Sequence, residues 1–432
     1  MKIYFYSLGC KVNQYDTESM KEMFRAAGWT ISARPEGCQA IVVNSCTVTS
    51  VSDQKTRQAV RRFKRSVPGA VVVLTGCMPQ AFPTRAMDLE AADIVVGNRD
   101  HKKILQDVEA RVGKATSSAG SRIFDVETYD HRTEDFDDAG IDNFSDRTRA
   151  VVKIQDGCNR YCSYCIIPTA RGRSRSRSME SIEAELKRIR AAGFREVVLV
   201  GINLTCYGLD IGRSFVDPIE LACSIGFDRV RIGSLEYDNI TDDAIDRLSK
   251  LPNFCPQFHM SLQAGCDKTL KNMHRHYNTD EYAATCAKLR SAFPDAAITT
   301  DIMVGFPHET ESDFQQSLDF ARRMAFEKIH VFPSSPREGT LAAKMEQVPK
   351  AVKTERSHRM LAAAEEIRQE FLHRQVGRTL HVLCEQYKDG VVTGYTENYT
   401  PVEFRSDAPR KNEIVAVKIV GVEGDVCVGE VR

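Results

Sequence analysis

Net charge is the first thing this chain lacks: Lys plus Arg and Asp plus Glu stand at 59 each in 432 residues. Bulk charge therefore gives no argument for a nucleic-acid partner, and any such argument has to be local. No apolar run approaches the length of a bilayer span, and Met1-Lys2-Ile3-Tyr4-Phe5-Tyr6 enters a strand-like pattern without the apolar core of a secretory leader. Cysteine, at 14 residues, is far too sparse for a disulfide scaffold. No Ser/His/Asp or paired-carboxylate constellation stands out. Together these absences point to a cytoplasmic protein with no membrane partner, whose cysteines are metal ligands or reactive thiols rather than bridges. The length suggests roughly two to four domains.

What is present is organised around Asp156-Gly157-Cys158-Asn159-Arg160-Tyr161-Cys162-Ser163-Tyr164-Cys165, three cysteines spaced by three and then two residues. Three thiolates on one short loop suit a [4Fe-4S] cluster with one iron left open to a small molecule. Zinc takes four protein ligands or three plus water, usually with His among them, and this loop has no His. A buried apolar segment would not interleave its cysteines with Asn159, Arg160 and Ser163. The spacing resembles the cluster loop of the radical S-adenosylmethionine (SAM) enzymes. That resemblance implies a free iron that chelates the amino and carboxylate groups of SAM, and an electron that splits SAM to a 5′-deoxyadenosyl radical.

The first ~110 residues alternate strand and helix. Lys2 to Leu8 is strand-like and ends in Gly9-Cys10; Asp16 to Ala27 is helical; Ala40 to Val43 is a strand ending in Asn44-Ser45-Cys46. Ser52 to Phe63 is helical again, and Ala70 to Leu74 is a strand ending in Gly76-Cys77. Ligands of an open parallel sheet sit beyond the carboxyl ends of its strands. Cys10, Cys46 and Cys77 thus form a second triad, assembled from distant sequence; the plainer alternative is that a small residue is tolerated after a strand. Cys38 precedes its strand and does not fit the set.

Ser7-Leu8-Gly9-Cys10-Lys11-Val12-Asn13-Gln14, with Asn44-Ser45-Cys46-Thr47-Val48-Thr49 and Thr75-Gly76-Cys77, resembles the N-terminal domain of the methylthiotransferases. The resemblance implies a second [4Fe-4S] cluster on these cysteines, carrying the sulfur that is methylated and inserted. Within that family Gly-Cys-Lys-Val-Asn-Gln is most similar to the branch acting on N(6)-threonylcarbamoyladenosine at position 37 of tRNA. The isopentenyladenosine branch and the ribosomal-protein branch differ at this motif.

Six basic residues between Lys55 and Arg65 suit a solvated helix face better than a phosphate grip. Residues 111–148 read as an acidic interdomain linker, small from Ala115 to Ser121 and then rich in acids such as Asp125, Glu127, Asp130, Glu134, Asp135, Asp137 and Asp138. From 149 to 370 strand and helix alternate again. Strands are expected at Ala150 to Ile154, Glu196 to Val200, Arg229 to Ile232, Gln257 to Ser261, Ala297 to Val304 and Lys328 to Phe332. Repeated βα units argue for a parallel barrel or part of one, and the resemblance implies the partial (β/α)6 barrel of radical SAM proteins.

Family positions recur at the strand ends. Tyr164, Gly201, Asn203, Ser261, Gln263, Asp301, Gly305 and Phe306 are the SAM contacts that the resemblance implies. His308 stands where the family usually has Gly, and Ser334, in Pro333-Ser334-Ser335-Pro336-Arg337, where it usually has Tyr. Arg171, Arg173, Arg175 and Arg177, four arginines in seven residues, follow the cluster loop. They suit RNA phosphates, or else pair with acids and SAM. Ala351 to Val376 is a linking helix, and residues 371–432 carry five short strands, a small OB-like β-barrel that resembles the TRAM RNA-binding domain. There Tyr395, Asn398 and Tyr399 are candidate nucleotide contacts.

The expectation is a multidomain α/β enzyme: an N-terminal open parallel sheet, a central partial barrel and a C-terminal β-barrel. The resemblance implies two [4Fe-4S] clusters and two SAM molecules. One SAM methylates the sulfur held at Cys10, Cys46 and Cys77; the other, cleaved at Cys158, Cys162 and Cys165, abstracts hydrogen from an inert carbon. The implied partners are a tRNA anticodon stem-loop, an electron donor such as flavodoxin or ferredoxin, and a sulfur donor. A methylthiotransferase on isopentenyladenosine or on a ribosomal protein, or a non-catalytic Fe-S RNA-binding sensor, are the alternatives.

Overall fold

The computed structural model describes residues 1–99, 101–112, 122–129, 136, 140–141 and 147–432. They form two compact units: Met1–Phe144 with Lys153–Ser181 and Ser335–Thr340, and Ser145–Val152 with Ile182–Ser334 and Leu341–Arg432. Among the described residues no helix is long and apolar enough to cross a membrane.

The first unit is built on six parallel strands in the order Thr30–Ile31, Lys2–Ser7, Ala40–Ser45, Val71–Gly76, Ile94–Val96, Ile123–Asp125. Ala40–Ser45 and Val71–Gly76 are buried throughout, as strands covered on both faces must be. Ala40 and Val42 share a core with Phe24 of helix Lys11–Ala26 and Val108 of helix His101–Val112, whereas Ile41 and Val43 share another with Val60 and Phe63 of helix Ser50–Ser66. The alternation of side chains along one strand thereby fixes which helix lies on which face.

Three sequence expectations shift. Helix Lys11–Ala26 begins directly after Cys10, five residues before the periodicity suggests. The acidic stretch after residue 110 is no bare linker, since Ile123–Asp125 is the sixth strand of the sheet; Ala115 to Ser121, Asp130, Glu134, Asp135, Asp137 and Asp138 lie outside the described residues. The loop bearing Cys158, Cys162 and Cys165 packs with the N-terminal sheet, because its flanks bond to helix Lys11–Ala26. In helix Ser50–Ser66, Lys64 pairs with Asp93 at 2.7 Å and Arg62 lies over Phe63, while Lys55, Arg61 and Arg65 are exposed.

In the second unit the strands follow chain order. Arg149–Lys153, Glu196–Val200 and Arg229–Ile232 form one sheet, and Ser234–Leu235, Gln257–Met260, Ala297–Val304 and Lys328–Pro333 another, with Gly233 as the step between them. The pairings from Glu196 onward are parallel, with helices between strands, as a partial (β/α)6 barrel requires. Capping boxes at Asn278 with Glu281 and at Thr310 with Asp313 start two of those helices. The five expected C-terminal strands close into a barrel: Thr379–Lys388, Val391–Tyr395, Pro401–Arg405, Val426–Val431 and Ile414–Glu423.

Candidate active site

Cys10, Cys46 and Cys77 each follow the end of a parallel strand of the first unit, the edge at which ligands of open parallel sheets bind. Cys10 caps helix Lys11–Ala26, Cys46 follows Ala40–Ser45, and Cys77 follows Val71–Gly76. Gly9, at φ +106°, brings the first cysteine against the second: a Cβ there would sit 2.7 Å from Cys46 Cβ. Asn13 joins the edges. Its Nδ2 donates to Leu8 O (2.9 Å) and Ser45 O (2.8 Å), and its Oδ1 accepts from Cys77 Sγ (3.7 Å) and from Arg171. Asn98 Nδ2 donates to Cys77 Sγ at 3.4 Å and to Ala170 O at 2.9 Å.

Burial, reinforced by Cys77 and Cys10, pushes the Cys46 thiol up to about 12, and burial likewise raises Cys77 while Arg171 opposes it. Loading a metal here would therefore release protons. Cys10 stays exposed, so the triad keeps an open side.

The Cys158, Cys162 and Cys165 triad sits on a loop between two short antiparallel strands, Gln155–Asp156 and Arg175–Ser176. Gln155 Nε2 holds the loop at Asp156 O (2.9 Å), Gly157 O (2.8 Å) and Ser174 Oγ (2.9 Å). The amides of Arg160 and Ile167 each approach a cysteine sulfur at 3.5 Å, Cys158 and Cys165 respectively. Cys158, Cys165 and Tyr164 are half-buried and Cys162 is buried. Gly157, at φ +71°, has no room for a side chain, since a Cβ would fall 1.8 Å from Arg173 O. Gly157→Ala is expected to cost about 2 kcal/mol or more from the strained φ alone. It should also lower the iron retained after anaerobic reconstitution, measured against Gly193→Ala, another positive-φ glycine with open space around it.

Zinc–sulfur bonds of about 2.3 Å would draw three sulfurs to within about 4 Å of one another. Among the described residues the one group of His, Cys, Asp and Glu with ligand atoms all inside 4.8 Å is His259, Asp301 and His330, and neither cysteine triad meets that spacing. The donor sets fit a multi-iron cluster better than a single ion.

Buried charges bridge the two triads. Arg171, 1% exposed, donates to Asp156 Oδ1 and Oδ2 (3.1 and 3.0 Å), to Asp16 Oδ2 (2.9 Å) and to Asn13. Lys153 pairs with Asp16 at 2.6 Å and Asp156 at 3.2 Å. Burial, the largest influence, pushes both aspartates up, yet Lys153 and Arg171 leave each below its ordinary value.

This corrects one expectation. Arg171, Arg175 and Arg177 are not phosphate grips: they are buried in the return strand of the loop and its flanks, where Arg175 bonds Arg171 O (2.8 Å) and Arg177 reaches Tyr15 Oη (3.3 Å) and Ser181 Oγ (3.0 Å). Arg173 alone of the four is exposed. The candidate contacts at the other end of the chain are also tied in place. Tyr395 and Tyr399 stack on each other with centroids 4.5 Å apart, Arg149 lies over both, and Asn398 is buried, accepting from Thr396 Oγ1 (2.6 Å) and Thr400 Oγ1 (2.8 Å). Arg229 and Arg231 bond the backbone of that turn at Tyr395 O (2.9 Å) and Glu397 O (2.7 Å). These contacts fasten the C-terminal barrel to the parallel strands and leave Tyr395 and Tyr399 half-buried.

The strand ends of the second unit hold the expected SAM positions. Gly201 and buried Asn203 follow Glu196–Val200, and Ser261 and Gln263 follow Gln257–Met260. Gln263 has φ +72°, bonds Asp301 O through its amide at 2.9 Å, and leaves its buried Oε1 without a hydrogen bond. A buried acceptor left open at a strand end suits the ribose hydroxyls of a nucleoside. Gly305 and buried Phe306 end Ala297–Val304, and Gly305 is crowded by Lys353, whose Cγ would lie 2.5 Å from an added Cβ. Asp301 directs its carboxylate to His259 Nε2 at 3.2 Å. His308 adopts φ +64° at an exposed turn, a left-handed conformation that favours glycine.

Sequence reasoning missed Arg337 as a structural residue. Buried at 3% exposure, it donates to Asp53 Oδ2 (2.6 Å) and Thr47 Oγ1 (2.7 Å), and so pins the turn that carries Cys46. The family motif around it was the signal; its partner was not legible.

The chain matches the Radical SAM superfamily over residues 152–321 and the Uncharacterized protein family UPF0004 over residues 2–97. It is 37% identical over 426 residues to the Threonylcarbamoyladenosine tRNA methylthiotransferase MtaB of Bacillus subtilis, covering 96% of this chain and 93% of that relative. It is 32% identical over 426 residues to the tRNA-2-methylthio-N(6)-dimethylallyladenosine synthase of Acetivibrio thermocellus, covering 96% of this chain and 87% of that one. Among solved structures, the radical SAM methyltransferase TsrM of Kitasatospora setae aligns over 91% of this chain and 77% of that chain with a TM-score of 0.54 at 11% identity, a likeness of fold.

Proposed function

The chain belongs to the radical SAM methylthiotransferases, and from that premise we propose that it adds a methylthio group to carbon 2 of N(6)-threonylcarbamoyladenosine at position 37 of tRNA. The observation that carries the substrate is the 37% identity, over nearly the whole of both chains, to the Bacillus subtilis threonylcarbamoyladenosine enzyme. The two cysteine triads support the reaction class. When bound, clusters on these triads would supply the electron that cleaves SAM and a site for the sulfur to be methylated.

The chain's own residues hold and orient. Cys158, Cys162 and Cys165 hold one cluster and Cys10, Cys46 and Cys77 the other. Asn98 aims an amide hydrogen at Cys77, Asn13 ties together the strand ends that carry Cys10 and Cys46, and Arg171 sets a fixed positive charge beside Cys77, in a buried setting where such charges act strongly. Tyr164, Gly201, Asn203, Ser261, Gln263, Asp301, Gly305 and Phe306 receive SAM. Arg173, exposed, remains the candidate RNA contact among the four arginines. An electron donor such as flavodoxin or ferredoxin and a sulfur donor complete the reaction, which belongs in a reducing cytoplasm.

Deleting the gene should remove the 2-methylthio group from threonylcarbamoyladenosine in bulk tRNA, read by mass spectrometry of digested nucleosides. Persistence of that nucleoside overturns the substrate assignment. Its persistence with loss of 2-methylthio-dimethylallyladenosine would install the second reading, which the 32% identity to the Acetivibrio thermocellus enzyme favours.

A further inference from the structure

The parallel strands of the second unit carry a polar face on which the cluster and SAM assignments use Asp301 alone. Phe258 packs on Phe293 at the end of helix Thr279–Ala292, with ring centroids 5.2 Å apart, and Phe258, Met260, Ile298, Ile302 and Ile329 are all buried. Successive side chains of a strand point to opposite sides. His259, Asp301 and His330 therefore project from the face turned away from those helices. The register confirms their adjacency: His259 is opposite Thr299, and Asp301 is opposite His330.

The three side chains form a cluster. His259 Nδ1 lies 2.9 Å from Thr299 Oγ1 and its Nε2 3.2 Å from Asp301 Oδ2; the His259 and His330 rings are 5.7 Å apart; and the ligating atoms of all three lie within 4.8 Å of one another. His259 and Asp301 are half-buried and His330 is exposed. The face lies just before the strand ends, two residues from Ser261 on one strand and four from Gly305 on the next, where ligands of parallel barrels bind. Partial desolvation at its ring, with His259 and Lys328 adding to it and Asp301 opposing, lowers His330 and favours the neutral imidazole, at once a donor and an acceptor.

We propose that His259, Asp301 and His330 receive the N6 substituent of the target adenosine, and that they select a substituent bearing carboxylate and hydroxyl groups over a hydrocarbon one. The inference rests on the tRNA reading above and goes beyond it by naming the residues that choose between the two adenosines. A hydrocarbon on this face would strip water from two imidazoles and a carboxylate and give nothing back. Sites built to hydrogen-bond a substrate reject the analogue that lacks the group by about 10⁴-fold or more. His330, the most accessible of the three, is the selecting residue; His259 is oriented by Thr299 and Asp301.

The test uses reconstituted holoenzyme and two synthetic anticodon stem-loops, one with threonylcarbamoyl and one with dimethylallyl at N6 of position 37. The dissociation constant of each RNA is measured by fluorescence anisotropy, and that of SAM by calorimetry. Wild type should prefer the threonylcarbamoyl RNA. H330L should lose most of that preference, about 100-fold in the ratio of the two constants, and H330N, which keeps a donor and an acceptor, should recover part of it. Equal weakening of both RNAs, or weakened SAM binding, would reassign the face to the cofactor or the scaffold and overturn the proposal. An intact preference in H330L defeats this inference alone, whereas a wild-type enzyme that modifies neither RNA defeats the tRNA reading and this one with it.

Discussion

Cys46→Ala is expected to cut the iron of anaerobically reconstituted protein from about eight atoms per chain to about four, to abolish methylthio transfer, and to leave reductive cleavage of SAM to 5′-deoxyadenosine running. Cys162→Ala should also retain about four irons but lose both activities. The asymmetry follows from the two separate donor sets. Cys46 stands at a strand end of the N-terminal sheet, and Cys162 on a loop between Gln155–Asp156 and Arg175–Ser176. Alanine at either position loses only a small buried side chain, so the fold should survive and iron counts can be compared at equal protein. Near-wild-type iron and methylthio product in Cys46→Ala would mean that the strand-end cysteines hold no cluster. Loss of SAM cleavage in the same variant would mean that the two triads do not act separately.

The same contrast shows how far the sequence could be read. That Cys10, Cys46 and Cys77 lie at one edge of the sheet was legible because three strands are each followed by a cysteine, at Gly9-Cys10, Ser45-Cys46 and Gly76-Cys77, and strand order in a parallel sheet is local information. Partners of charged residues were not legible. Arg171 is 155 positions from Asp16 and 158 from Asn13, so an arginine-rich run after a cluster loop looks the same whether it faces phosphates or buried aspartates. The partner of Tyr395 and Tyr399 was hidden for the same reason, since an aromatic pair in a small barrel carries no mark of the Arg149 that covers it. Ile123–Asp125 was hidden because a three-residue strand in an acidic stretch leaves too short an alternation to detect. The polar face of the second unit was within reach: Gln257, His259, Thr299, Asp301, Lys328 and His330 occupy alternate positions in three strands, a period of two that sets them apart from their apolar neighbours.

Arg171→Met is expected to destabilise the first unit by about 3–5 kcal/mol at neutral pH, because it leaves Asp16 and Asp156 buried with Lys153 as their remaining cationic partner. The loss has a definite pH dependence. Both aspartates are held below their ordinary values in the wild type, so the stabilisation they carry is fully present above the unfolded carboxylate pKa of about 3.9 and fades as pH falls through their lower folded values. Without Arg171 the desolvation that already opposes ionisation has less against it, and both folded pKa values move up. Protonation then relieves the variant at a pH where wild type still keeps its pairs. The gap between the two proteins should therefore be widest near pH 7 and narrow steadily on acidification to about pH 4. Urea unfolding of cluster-free protein, followed by the fluorescence of Trp29, reads this directly, since Trp29 is the one tryptophan of the chain and is buried in the core of the first unit. Arg171→Lys, which keeps the charge without the forked geometry, should fall between them. A deficit that stayed constant from pH 7 to 4, or widened, would show that Arg171 is not what keeps these aspartates ionised. The charged bridge between the two cysteine triads would then have to be assigned to Lys153 alone.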